Sequence, residues 1–332
     1  MNSKDTEMEK KALRIIFMGT PEFAVESLKA LVEKGYNVVG VVTMPDKPSG
    51  RGYRLQPSAV KQYALQQGLT VLQPEKLKDE AFLTQLRQLQ ADLQIVVAFR
   101  MLPEVVWNMP PRGTFNLHSS LLPQYRGAAP INWAIINGER ETGVTTFFLS
   151  HEIDTGKIIY REKTSITETD DAGTMHDKLM VMGAALVLKT VDAVLSDTVT
   201  AVAQDELIEN VAELKSAPKI FKETCRIDWG KSAGELHDFI RGLSPYPAAW
   251  TELCGNGSDQ PLRVKLFAGE LISVSADNLP AGTIRTDNKT FIDVVVRDGI
   301  IRITDLQLSG KKRMKTTDFL NGYTLPEDAR FC

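Results

Sequence analysis

A chain of 332 residues with 43% hydrophobic and 24% charged side chains is too apolar for domain-scale disorder and longer than one core usually fills, so two globular domains are expected. Its net charge of −3 argues against a surface that coats nucleic acid throughout, although a local basic loop stays open. Three cysteines, Cys225, Cys254 and Cys332, form an odd set with no C-x-x-C spacing, which fits free thiols in a reducing cytoplasm better than a disulfide scaffold or a zinc site.

In chain order, the charged start MNSKDTEMEKKA precedes only a short apolar run, so residues 1–12 read as a frayed tail and not as a signal peptide or membrane anchor. LRIIFMG then predicts a strand, EFAVESLKALVEKG a helix closed by Gly35, and YNVVGVVTM a second strand, a succession that implies a parallel sheet. The pattern repeats through the helix SAVKQYALQQG, the strand LTVLQ, the helix KDEAFLTQLRQLQ and the buried strand DLQIVVAF. A long helix is expected over Thr174–Ser196. Beyond the mixed-polarity stretch AQDELIENVAELKSAPKI, short β-rich runs separated by Gly, Asn and Asp predict a small barrel.

The chemistry concentrates in FNLHSSLLPQYRGAAP (Phe115–Pro130). Strand alternation puts Asn116 and His118 on one face at a carboxyl end, where open α/β sheets bind ligands. Asp154, in a Gly-bearing turn between two β-rich runs, is either a third member of that site or the former of a local Asx turn. No Gly-x-Ser-x-Gly or activated cysteine accompanies them, so a direct transfer fits better than a covalent intermediate. In such a site an amide holds an oxyanion, an imidazole moves a proton and a carboxylate orients it. Gly19 lies between a strand and a helix, but without G-x-G-x-x-G or a Walker lysine it marks no dinucleotide site.

The segments FNLHSSLLPQYRGAAPINWAI and HEIDTGKIIYRE together resemble the signature of the folate-dependent formyltransferases. FMGTPEFAVESL, PDKPSGRG, LSPYPAAW and LSGKKRMKTTDFLNG extend the likeness over nearly the whole chain, closest to the members that act on an aminoacylated tRNA. The resemblance implies transfer of formyl from 10-formyltetrahydrofolate to the α-amine of methionine carried on initiator tRNA, without a metal, by a cytoplasmic monomer.

It further implies an open, mostly parallel, Rossmann-like α/β catalytic domain over 13–206, a linker over 207–218 and an OB-like barrel over 219–332 that helps hold tRNA. Asn116, His118 and Asp154 fall on the catalytic positions. Phe99, Arg100, Met101, Leu102, Ser119, Ser120, Leu121, Leu122 and Pro123 are expected around the folate. Phe99-Arg100 departs from the aromatic-Gly pair common in relatives, and Arg100 itself reads as a solvated rim charge sooner than as a ligand contact.

The loop Thr43–Pro57 holds three Pro, two Gly and three basic residues, and from composition alone it is equally a solvated loop or a phosphate-binding one. By resemblance Lys47, Arg51 and Arg54 meet the tRNA acceptor end, with Tyr53 where relatives often carry another cation. Lys311, Lys312 and Arg313 are either a second phosphate contact or an exposed hairpin tip. A formyltransferase of small amines, or a non-catalytic RNA-binding protein on the same fold, are the competing readings. The first needs neither the Arg51 loop nor the barrel, and the second does not need Asn116, His118 and Asp154.

Overall fold

The computed structural model describes residues 3–49, 54–255, 261–273 and 279–332. It divides into two units, one of Met1–Gly127, Thr142–Thr164 and His176–Ser216, the other of Ala128–Glu141, Ser165–Met175 and Ala217–Cys332.

The elements run α1 (Ser3–Ala12), β1 (Arg14–Gly19), α2 (Glu22–Glu33), β2 (Asn37–Val42), the hairpin β3 (Lys47–Ser49) and β4 (Arg54–Gln56), α3 (Ala59–Gln66), β5 (Val71–Leu72) and α4 (Glu80–Gln88). There follow β6 (Leu93–Val97), α5 (Glu104–Trp107), β7 (Thr114–His118), β8 (Arg126–Gly127), α6 (Pro130–Ile136), β9 (Glu141–Phe148), β10 (Ile158–Ser165) and α7 (Ala172–Leu195). One sheet takes the order β10-β9-β7-β6-β1-β2-β5. Its strands from β7 to β5 pair in parallel, and β9 lies antiparallel to β7.

Every residue of β6 is buried, as a parallel strand covered on both faces requires. Ser58 caps α3 through the Lys61 N–H (3.1 Å) and Asp79 caps α4 through that of Ala81 (3.3 Å), meeting donors the first turn leaves open. α7 lies so close to β7 that a Cβ on Gly183 would come within 2.6 Å of the Leu117 side chain.

The described part of the N-terminal segment differs from the expected tail. Ser3–Ala12 form α1, stitched by the Lys11–Glu7 pair one turn apart (2.9 Å), and Lys10 sits 4.8 Å above the Tyr36 ring and 3.7 Å from Asp192. Burial and a hydrogen bond to Asp192 push the Tyr36 phenol well above its ordinary pKa. Residues 207–218, expected as a linker, carry a 3₁₀ turn at Val211–Glu213 and strand β11 (Ser216–Ala217), and the Tyr125 N–H donates to the Lys215 carbonyl (2.7 Å).

In the second unit α8 (Ala233–Gly242) starts in a reciprocal capping box between Ser232 and Glu235. Its last turn meets α6, where Asn132 donates to the Gly242 carbonyl (2.8 Å) and Ile136 leaves no room for a side chain at 242. This packing draws Ala128–Glu141 into the C-terminal unit. Strands β12 (Ala249–Cys254), β13 (Leu262–Ile272), β14 (Ile284–Thr286), β15 (Ile292–Val296), β16 (Gly299–Leu308), β17 (Met314–Lys315) and β18 (Arg330–Phe331), with α9 (Thr316–Gly322), complete the chain.

The second sheet has the order β14-β15-β16-β13-β12-β18. Phe331 donates to the Gly282 carbonyl (2.9 Å) and Thr283 bridges to Arg330, so first and last strands meet and the barrel nearly closes. At Gly282 (φ +87°) a Cβ would lie 2.2 Å from the Phe331 carbonyl oxygen, so only glycine allows that approach. Trp229, Leu236, Ile240, Leu266 and Ile301 fill the interior.

The expectation of three free thiols needs correcting: Cys254 and Cys332 are disulfide-bonded, and Cys225 is free and buried. The pairing of β12 with β18 brings together two residues 78 apart in sequence, an adjacency that residue spacing does not encode. Among the described residues no helix is long and apolar enough to cross a membrane.

Candidate active site

β7 runs between β6 and β9, with Asn116 opposite Val96 and His118 opposite Thr145. Phe115 and Leu117 are buried on one face of the strand, and Asn116 and His118 stand on the other. The half-buried Asn116 carboxamide has no hydrogen-bond partner among the described residues.

The His118 ring is buried, edge-on to Phe147 at 6.5 Å, with Nε2 2.8 Å from the Tyr125 carbonyl oxygen. A carbonyl only accepts, which assigns a proton to Nε2 and leaves Nδ1 as the atom free to exchange one. Nδ1 lies 4.0 Å from Asp154 Oδ2.

The turn after β7 presents the Tyr125 carbonyl. Thr145 Oγ1 donates to the Ser120 carbonyl (2.6 Å) and accepts from the Leu122 N–H (3.2 Å), while Ser120 Oγ donates to the Gln124 carbonyl (2.7 Å). The Leu122–Pro123 peptide is cis, and Tyr125 occupies the left-handed region at φ +60°, a conformation that a bulky residue adopts only under constraint.

Asp154 is also left-handed (φ +56°), and its Oδ2 accepts from the Gly127 N–H at 3.0 Å, so the carboxylate reaches across to β8 and does not close a local Asx turn there. At Gly156 a Cβ would stand 1.6 Å from the Phe148 carbonyl oxygen, which lets the Asp-Thr-Gly turn fold flat onto the end of β9. Gln204, buried in the 3₁₀ turn Gln204–Leu207, donates to the carbonyls of Asp154 (2.8 Å) and Gly156 (2.9 Å). It accepts from Arg126 Nε (3.0 Å) and Nη2 (2.7 Å). Asn116, His118 and Asp154 thus gather at one end of the sheet. Tyr125, bonded to His118, Thr145, bonded to the turn after it, and Gln204, bonded to the Asp154 turn, were not foreseen: Gln204 is 50 residues from Asp154 in a stretch without periodicity, and Arg126 was visible only as part of Arg-Gly-Ala-Ala-Pro.

The residues expected around folate divide. Phe99 is half-buried against the Val96 and Leu102 cluster, Met101 is exposed, and Ser119 and Leu121 are half-buried. Ser120, Leu122 and Pro123 are interior, with Leu122 packed on Phe147 and Ile158. Arg100 is not a solvated rim charge. Its guanidinium donates to the carbonyls of Pro74 and Glu75 and rests on the Phe99 ring (5.7 Å), and burial lowers its pKa. A cavity of about 350 Å³ lined by Leu86, Asp92, Gln94 and Met109 lies at the opposite end of β6.

Of the residues expected on RNA, Arg51 and Tyr53 lie outside the described residues. Lys47 is exposed on β3, and the Arg54 backbone pairs with Ser49 in β4. Lys311 and Lys312 are exposed between β16 and β17. Arg313 is engaged within the protein, making two bonds to Asp305 (2.9 Å each) and lying over the Phe267 ring (4.3 Å). His151 packs edge-on to Trp107, His176 to Phe23, and His237 lies beside Asp238. No group of three metal-ligating side chains occurs among the described residues.

Comparison with known proteins adds relatives along the whole chain. A family model described as formyl transferase matches residues 13–191, and one described as formyl transferase, C-terminal domain, matches 219–324. Methionyl-tRNA formyltransferase of Parabacteroides distasonis is 65% identical over 95% of this chain and 97% of its own length. The protein of that name from Bacteroides thetaiotaomicron is 62% identical over 96% and 98%. Among solved structures, the sugar 3N-formyl transferase WlaRD, determined with dTDP and 5-N-formyl-THF, superposes with a TM-score of 0.61 at 17% identity, covering 90% of this chain and 99% of its own. HypX from Aquifex aeolicus, in complex with tetrahydrofolic acid, gives 0.61 at 18%, covering 93% of this chain and 47% of its own.

Proposed function

The chain belongs to the formyl transferase family, and from that premise we infer that it moves the formyl group of 10-formyltetrahydrofolate onto the α-amine of methionyl initiator tRNA. The observation that carries the choice of acceptor is the 65% identity, spread over 95% of the chain, with a methionyl-tRNA formyltransferase. The donor suits the residues present: the Asn116 amide, without a partner among the described residues, stands opposite Val96, which shares an apolar cluster with Leu102 and with Phe99 packed against it.

In this reading Asn116 donates to the formyl oxygen as it gains charge under attack by the amine. His118, held through Nε2 on the Tyr125 carbonyl, takes the amine proton at Nδ1 and returns it to the departing folate nitrogen. Asp154 Oδ2 faces His118 Nδ1 at 4.0 Å and stabilises the imidazolium formed in between. Phe99, Met101, Leu102, Ser119 and Leu121 offer side chains to the donor, whereas Ser120, Leu122 and Pro123 shape the turn. Lys47, Arg51, Arg54, Lys311 and Lys312 meet tRNA phosphates. We assign catalysis to a domain over 13–206 and tRNA support to one over 219–332, in a monomer working in the cytoplasm.

The test presents 10-formyltetrahydrofolate with methionyl initiator tRNA, glycinamide ribonucleotide or an aminosugar nucleotide. Formyl transfer is expected to the tRNA alone. Transfer to either small amine at comparable kcat/KM would overturn the reading.

A further inference from the structure

Gln204 is 2% exposed, and its amide meets four hydrogen-bonding groups from two separate segments. On one side Nε2 holds the carbonyls of Asp154 and Gly156, the turn whose left-handed backbone aims the Asp154 carboxylate. On the other side Oε1 holds the Arg126 guanidinium. The next residue, Gly127, donates its N–H to Asp154 Oδ2, and the preceding one, Tyr125, supplies the carbonyl that fixes His118. The bonds therefore close a ring, from Gln204 to Arg126, along the chain to Gly127, across to Asp154 and back to Gln204. His118 is tied to the same three-residue segment. A single side chain joins the mount of the imidazole to the mount of the carboxylate.

The chemistry of the ring selects an amide. It needs two N–H donors for carbonyls and one oxygen acceptor for a cation, which glutamine supplies and glutamate or leucine does not. We infer that Gln204 is a positioning residue for the transfer reaction, setting the separation of His118 from Asp154. The inference rests on the reading of those two residues as the proton-handling pair. Gln204 touches neither reacting group and acts through Asp154.

The experiment uses full-length enzyme and a double-mutant cycle. Gln204→Glu keeps the acceptor facing Arg126 but turns a carboxylate on two carbonyls, and Gln204→Leu removes both functions. Each is made alone and with Asp154→Asn, and kcat and KM are measured for both substrates. Misplacing a catalytic group by about 1 Å lowers rates by as much as 10²-fold, so a loss in kcat of roughly 10–100-fold is expected from Gln204→Glu, with both KM values within about twofold. In the Asp154→Asn background the same change is expected to lower kcat by less than about twofold, since a group acting through Asp154 has nothing left to position.

An equal fold-loss in both backgrounds would overturn the inference, as would unchanged kcat in Gln204→Glu or an effect confined to KM. If Gln204→Leu does not fold, the glutamate variant, with its Arg126 pair intact, decides alone. Full turnover in Asp154→Asn by itself would instead sink the reading of the pair, and the positioning role with it. That outcome is told apart by the single variant.

Discussion

At the scale of residues, the site depends on backbone placed where side chains ordinarily resist it. Tyr125 and Asp154 both lie at positive φ; the first holds the imidazole that carries the proton in the proposed mechanism, and the second bears the carboxylate that stabilises it there. In the same proposal Asn116 serves a different step. Its amide meets charge that develops only as the bond forms, so Asn116→Ala should lower kcat by about 10²–10³-fold with little change in either KM. Steady-state kinetics with both substrates checks this, and an effect on KM alone would assign the amide to ground-state binding. Gly156→Ala is expected to lower stability by at least about 3 kcal/mol in denaturant unfolding, because a Cβ at 1.6 Å from the Phe148 carbonyl oxygen forces the turn off β9. Asn116, His118 and Asp154 were legible because strand alternation and a recognisable motif fix them. Gln204 was not, since a buried amide that serves distant backbone leaves no periodic trace.

At the scale of elements, two clusters make separable demands. Arg241 in α8 is buried and donates to Asp238 (2.7 Å) and to the carbonyls of Thr167 (2.9 Å) and Asp170 (2.7 Å), tying the helix to an irregular segment of its own unit. Arg241→Met leaves Asp238 and two carbonyls without their donor, and a loss of about 3 kcal/mol is expected in urea unfolding. The turn between β16 and β17 behaves differently. Lys311 and Lys312 project into solvent without a side-chain partner among the described residues that competes for them, whereas Arg313, also exposed, is paired with Asp305 and lies over Phe267, so the two lysines are the simpler pair to test as phosphate contacts. Replacing both by alanine should raise the KM for tRNA and reduce the slope of log KM against log salt by about 1–2, leaving kcat and the donor KM unchanged. The hairpin itself follows from β-rich runs around Gly310. The capture of Arg313 follows from Asp305, which strand pairing places nearby and composition does not.

At the scale of the whole molecule, acid should weaken the protein by a route traceable to named carboxylates. Burial alone would raise the Asp238 pKa, but His237 beside it (3.7 Å) and the Arg241 hydrogen bond outweigh it and hold the group below its ordinary value. Asp46 is lowered by Lys61 and Gln73. A carboxylate with a depressed folded pKa contributes stability that is full above its unfolded pKa and is lost as the pH falls through the folded one. Stability should therefore decline from about pH 4 downward, and Asp238→Asn should flatten that decline while lowering stability at neutral pH. Urea titrations across pH check both.

The sheet was readable because its central strands are unbroken apolar runs, and the barrel because Gly and Asn punctuate short alternating ones. The Cys254–Cys332 bond and the interleaving of the two units were hidden, since each arises where segments far apart in the chain come to lie together. The segment after α7 turns back, bridging Val202 to Ile158 at the outer strand and delivering Gln204 beneath Asp154. A truncation boundary drawn at 191, where the first matched region stops, would shear off this returning flap. Such a fragment would keep every residue of the proton-handling pair yet lose the brace that aligns it, so a minimal catalytic piece has to reach past Leu207.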